Sequence, residues 1–134
     1  MEDQKFVSPQ GQHSLKKFLK GFTYAFKGIQ YAFKTQINFK FHTTAGVFTI
    51  LAGYYFNLNT AEWLWIMAAV SLVLISELFN TALELLVDLV SPGYNKKAGA
   101  VKDLASGAVL VTAVFALAVG VIIFLPKLGV NLSP

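Results

Sequence analysis

The sequence predicts an all-α membrane protein with three transmembrane helices and an N-terminal amphipathic surface helix. Three observations carry that reading. Of the 134 residues, 55% are hydrophobic and only 13% charged, where a soluble domain carries about 25% charged residues. Three long apolar runs follow one another, separated by short polar loops. Every basic residue is a lysine, and the lysines collect on one side of those runs. The length suits one domain, and no internal repeat or low-complexity tract interrupts it. The absence of cysteine excludes disulfides and thiolate metal sites. The formal charge of +4 points to anionic headgroups rather than nucleic acid, because most lysines precede the first apolar run.

The elements follow in order. Residues 1–13 are polar, with Pro9 and Gly11, and read as a disordered lead-in. No cleavable signal is expected, since the first long apolar run begins only near Phe41 and no small-residue cleavage pattern follows it. Residues 14–35 read as the surface helix. Lys16, Lys20, Lys27 and Lys34 fall within roughly 40° of one another on a helical wheel, with Lys17 beside them. Leu15, Phe18, Phe22, Phe26, Ile29 and Phe33 occupy the opposite side, as in a helix lying in a membrane surface.

The first span is expected at about 41–58, near the ~17–25 residues that cross ~30 Å of hydrocarbon. A short loop, 57–62, turns the chain into the second span at about 63–90, which Ser91, Pro92 and Gly93 stop. The third span is expected at about 104–125, halted by Pro126. Seven lysines precede the first span and three lie between spans two and three; none lies between spans one and two. The positive-inside rule therefore places the N-terminus and the second loop in the cytoplasm.

The second span carries an expensive feature. Glu77, Asn80, Thr81, Glu84 and Asp88 fall within roughly 100° of arc on a helix otherwise fit for lipid. A carboxylate at the centre of a spanning helix costs about 2.5–3.5 kcal/mol on the insertion scale. With Trp63 and Trp65 at the outer interface, Glu77 lies about 21 Å deeper at ~1.5 Å per residue, in the inner leaflet. The stripe then runs toward cytosolic water through Glu84 and Asp88. A transporter would place its acid near the midplane; a site joining a lipid headgroup to a soluble reagent would lie here. On the same side, Gly99 to Gly107 opens the third span with Lys102, Asp103 and Ser106. Helix N-termini favour anions, and Lys102 adds a full positive charge. Carboxylates hold Mg²⁺ together with substrate phosphates, a lysine neutralises phosphate, and another carboxylate takes a hydroxyl proton. These are the components of phosphoryl transfer, without a Walker A loop or a protein-kinase signature.

The stretch Glu77-x-x-Asn80-Thr-Ala-x-Glu84-x-x-x-Asp88, followed by Lys102-Asp103-x-x-Ser106, resembles the small bacterial integral-membrane lipid kinases, the prokaryotic diacylglycerol kinase and undecaprenol kinase family. The resemblance runs from about Phe18 to Leu125. It implies a homotrimer in the bacterial inner membrane, with ATP and Mg²⁺ as cofactors, a membrane lipid as acceptor, and active sites shared between neighbouring subunits. It also implies roles. Glu77 is the base toward the lipid hydroxyl, with Ser106 beside the lipid, and Asn80 orients that region. Glu84 binds the nucleotide's metal. Lys102 contacts the transferred phosphate and Asp103 belongs to the nucleotide site. Asp88 supports the site. Lys17 and Tyr24 on the surface helix, and Gly93, Tyr94 and Asn95 in the loop, match nucleotide contacts.

One position departs from the family pattern. An acidic residue usually precedes the run Asn38-Phe39-Lys40-Phe41-His42; here Gln36 stands where the second metal-binding carboxylate belongs. An amide oxygen still ligates a hard cation, but one negative charge is missing. Weakened metal binding and lowered activity are expected. Two alternatives stay open at this point: a pseudo-kinase that binds without turnover, and a small transporter that couples protons through Glu77. Plainer roles are also expected for some residues. His42 reads as a headgroup contact, Thr81 as an interhelical hydrogen bonder or a close-packing residue, and Gly46, Gly53, Gly107 and Gly120 as close-packing sites.

Overall fold

A computed structural model describes residues 15–129. They form α1 (Leu15–Thr35), α2 (Ile37–Tyr55), α3 (Thr60–Val90) and α4 (Lys96–Lys127), with no strand among the described residues. The expected lead-in, 1–13, lies outside them.

One residue joins α1 to α2. Gln36 is extended, with φ −102° and ψ 115°. Its backbone N–H still donates to the Ala32 carbonyl at 2.8 Å, and its carbonyl accepts from Lys40 at 3.3 Å. The chain therefore bends without leaving backbone groups unpaired. α2 begins at Ile37 rather than at 41, because polar Asn38 and Lys40 extend the helix even though they do not extend the apolar run. It ends at Tyr55 rather than at 58. Asn57 takes the left-handed conformation, φ 51°, and the N–H groups of Leu58 and Asn57 return to the carbonyls of Gly53 and Tyr54. This is a Schellman closure, with buried Leu58 as its apolar contact.

α3 starts three residues before the expected Trp63. The Asn59 side chain accepts from the Glu62 N–H at 3.0 Å, and the Glu62 carboxylate accepts from the Asn59 N–H at 2.8 Å. The pair is a capping box. α4 starts at Lys96, well before the expected 104. The Asn95 side chain caps it by accepting from the N–H groups of Lys97 and Ala98. Lysine and alanine are good helix formers, so the hydropathy boundary at 104 marks where the apolar surface begins, not where the helix does. Pro126 does not halt α4, which includes it and Lys127. A proline in the last turn removes only one backbone bond. The Leu128 N–H closes onto Phe124 and Leu125, and Gly129 leaves at φ 83°.

α3 is the central element and touches each of the other three helices. Its buried positions Ile66, Val73, Asn80 and Val87 recur every seven residues, as do Phe39, Gly46 and Gly53 on α2. A seven-residue repeat describes helices coiled around one another with a left-handed twist. α2 approaches α3 through its glycines. A Cβ on Gly46 would lie 3.0 Å from Val70, and one on Gly53 only 2.7 Å from the Trp63 ring. Gly107 and Gly120 have open space instead, so within the chain the packing role expected of four glycines falls to two. α4 runs antiparallel to α3 and is joined to it by Ser76–Thr112 at 2.8 Å and by Lys127–Glu62 at 3.0 Å.

α3 and α4 are each long and apolar enough to cross a membrane. At ~1.5 Å per residue they extend about 46–48 Å, beyond ~30 Å of hydrocarbon, so their ends reach past it. Only 11% of the most apolar stretch of α4 is buried. Leu110, Val111, Val114, Leu117 and Ile122 all point outward. An apolar face this large on a chain in water would aggregate, whereas lipid solvates it. α2 is less apolar, with Asn38, Lys40, His42 and three threonines.

Candidate functional site

The polar stripe on α3 is buried at its deep end and open at the other. Glu77 is 2% exposed, Thr81 4% and Asn80 8%. Glu84 is half-buried and Asp88 exposed. From Glu77 to Asp88 the stripe covers about 16 Å along the helix axis.

Four contacts organise it. At the deep end, His42 on α2 brings Nε2 to 3.4 Å from Glu77 Oε1. That oxygen is enclosed and has no hydrogen-bond partner among the described residues. One turn on, Asn80 bridges two helices. Its amide donates to Glu84 Oε1 at 3.0 Å, and its carbonyl oxygen accepts from Ser106 on α4 at 3.4 Å. At the open end, Lys102 on α4 donates to Asp88 at 2.5 Å. This last pair is open to solvent, with Lys102 38% and Asp88 64% exposed, and contributes about 0–1 kcal/mol to the fold. Its value is to hold a cation over the stripe. Thr81 donates to the Glu77 carbonyl within α3 and is 4% exposed, so of its two expected roles it takes close packing rather than an interhelical hydrogen bond.

Asn80, Glu84, Asp88, Lys102 and Ser106 therefore meet along the α3–α4 seam, while Glu77 faces His42 on α2. The route differs from the expected one. Lys102 and Ser106 lie in the interior of α4, not at its N-terminus, because Asn95 starts the helix at Lys96. The N-terminal anion argument does not reach them, and the ammonium of Lys102 acts alone. The other candidates stand apart. Asp103 lies about 100° round α4 from Lys102, beside an open crevice with Ala100, Leu104, Gly107, Ala108 and Val111. Lys17, Tyr24, Gly93 and Tyr94 are exposed, Tyr94 at 99%. Asn95 is engaged as a cap. Gln36 is half-buried at the α1–α2 joint, and its side chain makes no capping bond. No contact joins it to Glu84.

Among the described residues no three His, Asp or Glu side chains cluster as a metal cage. Glu84 still fits a Mg²⁺ site of the usual kind, in which one or two carboxylates share the ion with substrate phosphates. Asn80 fixes one of its oxygens and leaves the other available. The contact that sequence reasoning missed is His42 to Glu77. The seven-residue spacing of Phe39, Gly46 and Gly53 was its signal, since His42 lies one turn along the same seam.

The model of the prokaryotic diacylglycerol kinase family matches residues 23–124. The chain belongs to this family. It is 38% identical over 121 residues to the undecaprenol kinase of Bacillus subtilis (strain 168), which covers 90% of this chain and 98% of that protein. It is 44% identical over 111 residues to a diacylglycerol kinase of Synechocystis, covering 82% of this chain and 63% of the longer cyanobacterial protein. The diacylglycerol kinase of Escherichia coli (strain K12) is 26% identical over 100 residues. Membership in the prokaryotic diacylglycerol kinase family makes the chain a lipid kinase, a transferase.

Proposed function

We propose that this chain transfers the γ-phosphate of MgATP to the hydroxyl of a membrane lipid, diacylglycerol or undecaprenol, at the cytoplasmic face of the bacterial inner membrane. One observation carries the reading. A buried, unpartnered carboxylate oxygen on Glu77 leads, through Asn80 and Glu84, to the Lys102–Asp88 pair at the open end. A lipid hydroxyl is confined to the membrane and ATP to water, and this row of groups extends from one toward the other.

Glu77 accepts the hydroxyl proton. Asn80 holds Glu84, which would bind Mg²⁺. The cation, when bound, draws charge from the phosphate oxygens. Lys102 leaves Asp88 to meet the transferred phosphate, and Asp88 receives it back afterwards. α2 joins α3 and α4 as a membrane span, the first of the three along the chain, and α1 is the surface helix, its lysines on the headgroups. The chain works as a homotrimer with shared sites. Support comes from Asp103, which lies outside the contacts of its own stripe, beside an apolar crevice of Ala100, Leu104, Gly107, Ala108 and Val111, where a neighbour's helix would fit. Lys17, Tyr24 and Tyr94 complete the nucleotide site from the cytoplasmic side.

Gln36 favours a second reading, a weakened or silent kinase. The test is ADP release in bicelles with dioleoylglycerol, with undecaprenol, or with neither. Release that depends on one lipid supports the proposal and names the acceptor. Nucleotide binding without release supports the second reading. Proton flux without nucleotide would point to a transporter.

A further inference from the structure

A base buried in a membrane faces a problem that a base in water does not. Each transfer leaves a proton on Glu77, and the next hydroxyl cannot be deprotonated until that proton is gone. Bulk water does not reach the enclosed Oε1, which has no hydrogen-bond partner. Among the described residues, one ionisable group makes an ion-pair contact with it: His42, with Nε2 at 3.4 Å. The two side chains differ in access, Glu77 being 2% exposed and His42 22%. His42 also lies near the end of α2 that carries Asn38 and Lys40, about 7 Å along the axis from Ile37. An imidazole has two nitrogens, accepts on one and releases from the other, and changes charge near neutral pH.

We infer that His42 clears the proton from Glu77 in every turnover. The inference rests on the assignment of Glu77 as base. In the transfer step the lipid hydroxyl oxygen bonds to the γ-phosphorus while the bond from that phosphorus to the bridging oxygen breaks. ADP keeps the bonding pair, and the hydroxyl proton passes to Glu77. In the clearing step the proton moves from Glu77 to Nε2 of His42, and the Nδ1 proton leaves to water at the headgroup level. Exchange with water restores the starting tautomer. His42 acts through Glu77 and touches no substrate, so it is a positioning and relay residue rather than a catalytic one. Seam packing against α3 aims it: Phe39 and Gly46 on either side along the helix are both buried.

His42→Gln keeps a hydrogen-bond donor of similar reach and removes the relay. Rapid-quench measurement with labelled MgATP and the accepted lipid alcohol in bicelles reads the difference. Wild-type protein forms lipid phosphate at one rate from the first turnover. The variant gives a burst of one product per site at close to the wild-type rate. It then slows by on the order of a hundredfold, the scale of a lost acid–base group, with KM for ATP unchanged. His42→Asn behaves the same way, and the burst amplitude counts folded sites in both. Wild-type steady rates in both variants would overturn the inference. So would a first turnover slowed as much as later ones, which marks a purely structural role. Glu77→Gln separates the two levels. If it turns over, the base assignment itself is wrong; if it is silent while His42→Gln runs normally, only the relay falls.

Discussion

Replacing Asn80 with Asp changes one amide nitrogen into an oxygen and little else. The side chain keeps its size, and the oxygen facing Ser106 still accepts. The nitrogen facing Glu84 is the point of attack. It lies 3.0 Å from Glu84 Oε1 and donates to it. In the variant two like charges stand at that separation. At an effective dielectric of 20 they repel by about 5 kcal/mol, and by about 3 kcal/mol if Glu84 swings out to ~6 Å. The lost hydrogen bond adds about 1 kcal/mol. Repulsion therefore dominates, and Glu84 leaves its position over the seam. Two readouts follow, both first taken in EDTA so that no cation screens the pair. Stability against SDS denaturation falls by about 3 kcal/mol. Lipid phosphorylation, then measured across a Mg²⁺ titration, falls at least tenfold and needs more Mg²⁺. A variant that matches wild type in both would refute the role of Asn80 as the holder of Glu84.

Other outcomes follow from the same structure. Glu77→Gln abolishes lipid-dependent ADP release and leaves the helical circular dichroism spectrum unchanged. Gln36→Glu raises turnover and lowers the Mg²⁺ needed for half-maximal rate; equal rates and equal Mg²⁺ dependence would sink the idea of a missing charge. Gly53→Ala drives a methyl toward the Trp63 ring at 2.7 Å and costs about 1–3 kcal/mol in SDS unfolding, while Gly107→Ala, with open space, costs none of that packing. Ser76→Ala removes the bond to Thr112 and costs about 0.6 kcal/mol, the usual size of an interhelical hydrogen bond in a membrane.

The stripe was legible because its periodicity and its price are both local. Glu77, Asn80, Glu84 and Asp88 lie on one helix, and helical spacing alone aligns them. Helix ends were less legible. Hydropathy reports where the apolar surface starts, and Lys96 to Asp103 form helix without being apolar. Pro126 misled for the opposite reason, since a helix breaker in the last turn has almost nothing left to break. Partners across helices were hardest to see. Lys102 was expected at a phosphate and rests on Asp88. Asp88 was expected to support the site, but its pairing with Lys102 joins residues fourteen apart on two helices and has no local sign. His42 looked like a headgroup contact, because nothing local says that its seam position faces Glu77.

Asn80 also determines how α4 lies along α3. The buried positions Ile66, Val73, Asn80 and Val87 of α3 repeat every seven residues, and Ala105 and Val119 on α4 lie two such repeats apart, so sliding α4 by one repeat would bring equivalent positions into contact. The polar pairs do not survive the slide. Ser106 would be replaced opposite Asn80 by Ala113 or Gly99, and Thr112 opposite Ser76 by Val119 or Ala105. Neither replacement pair offers a side-chain hydrogen bond, and in hydrocarbon an unmet amide is costly. A buried asparagine in a heptad seam is known to select one register over its neighbours. The residue that holds Glu84 is thus also the index mark by which the two long helices find their alignment. A kinase of this construction cannot assemble out of step and still have a site.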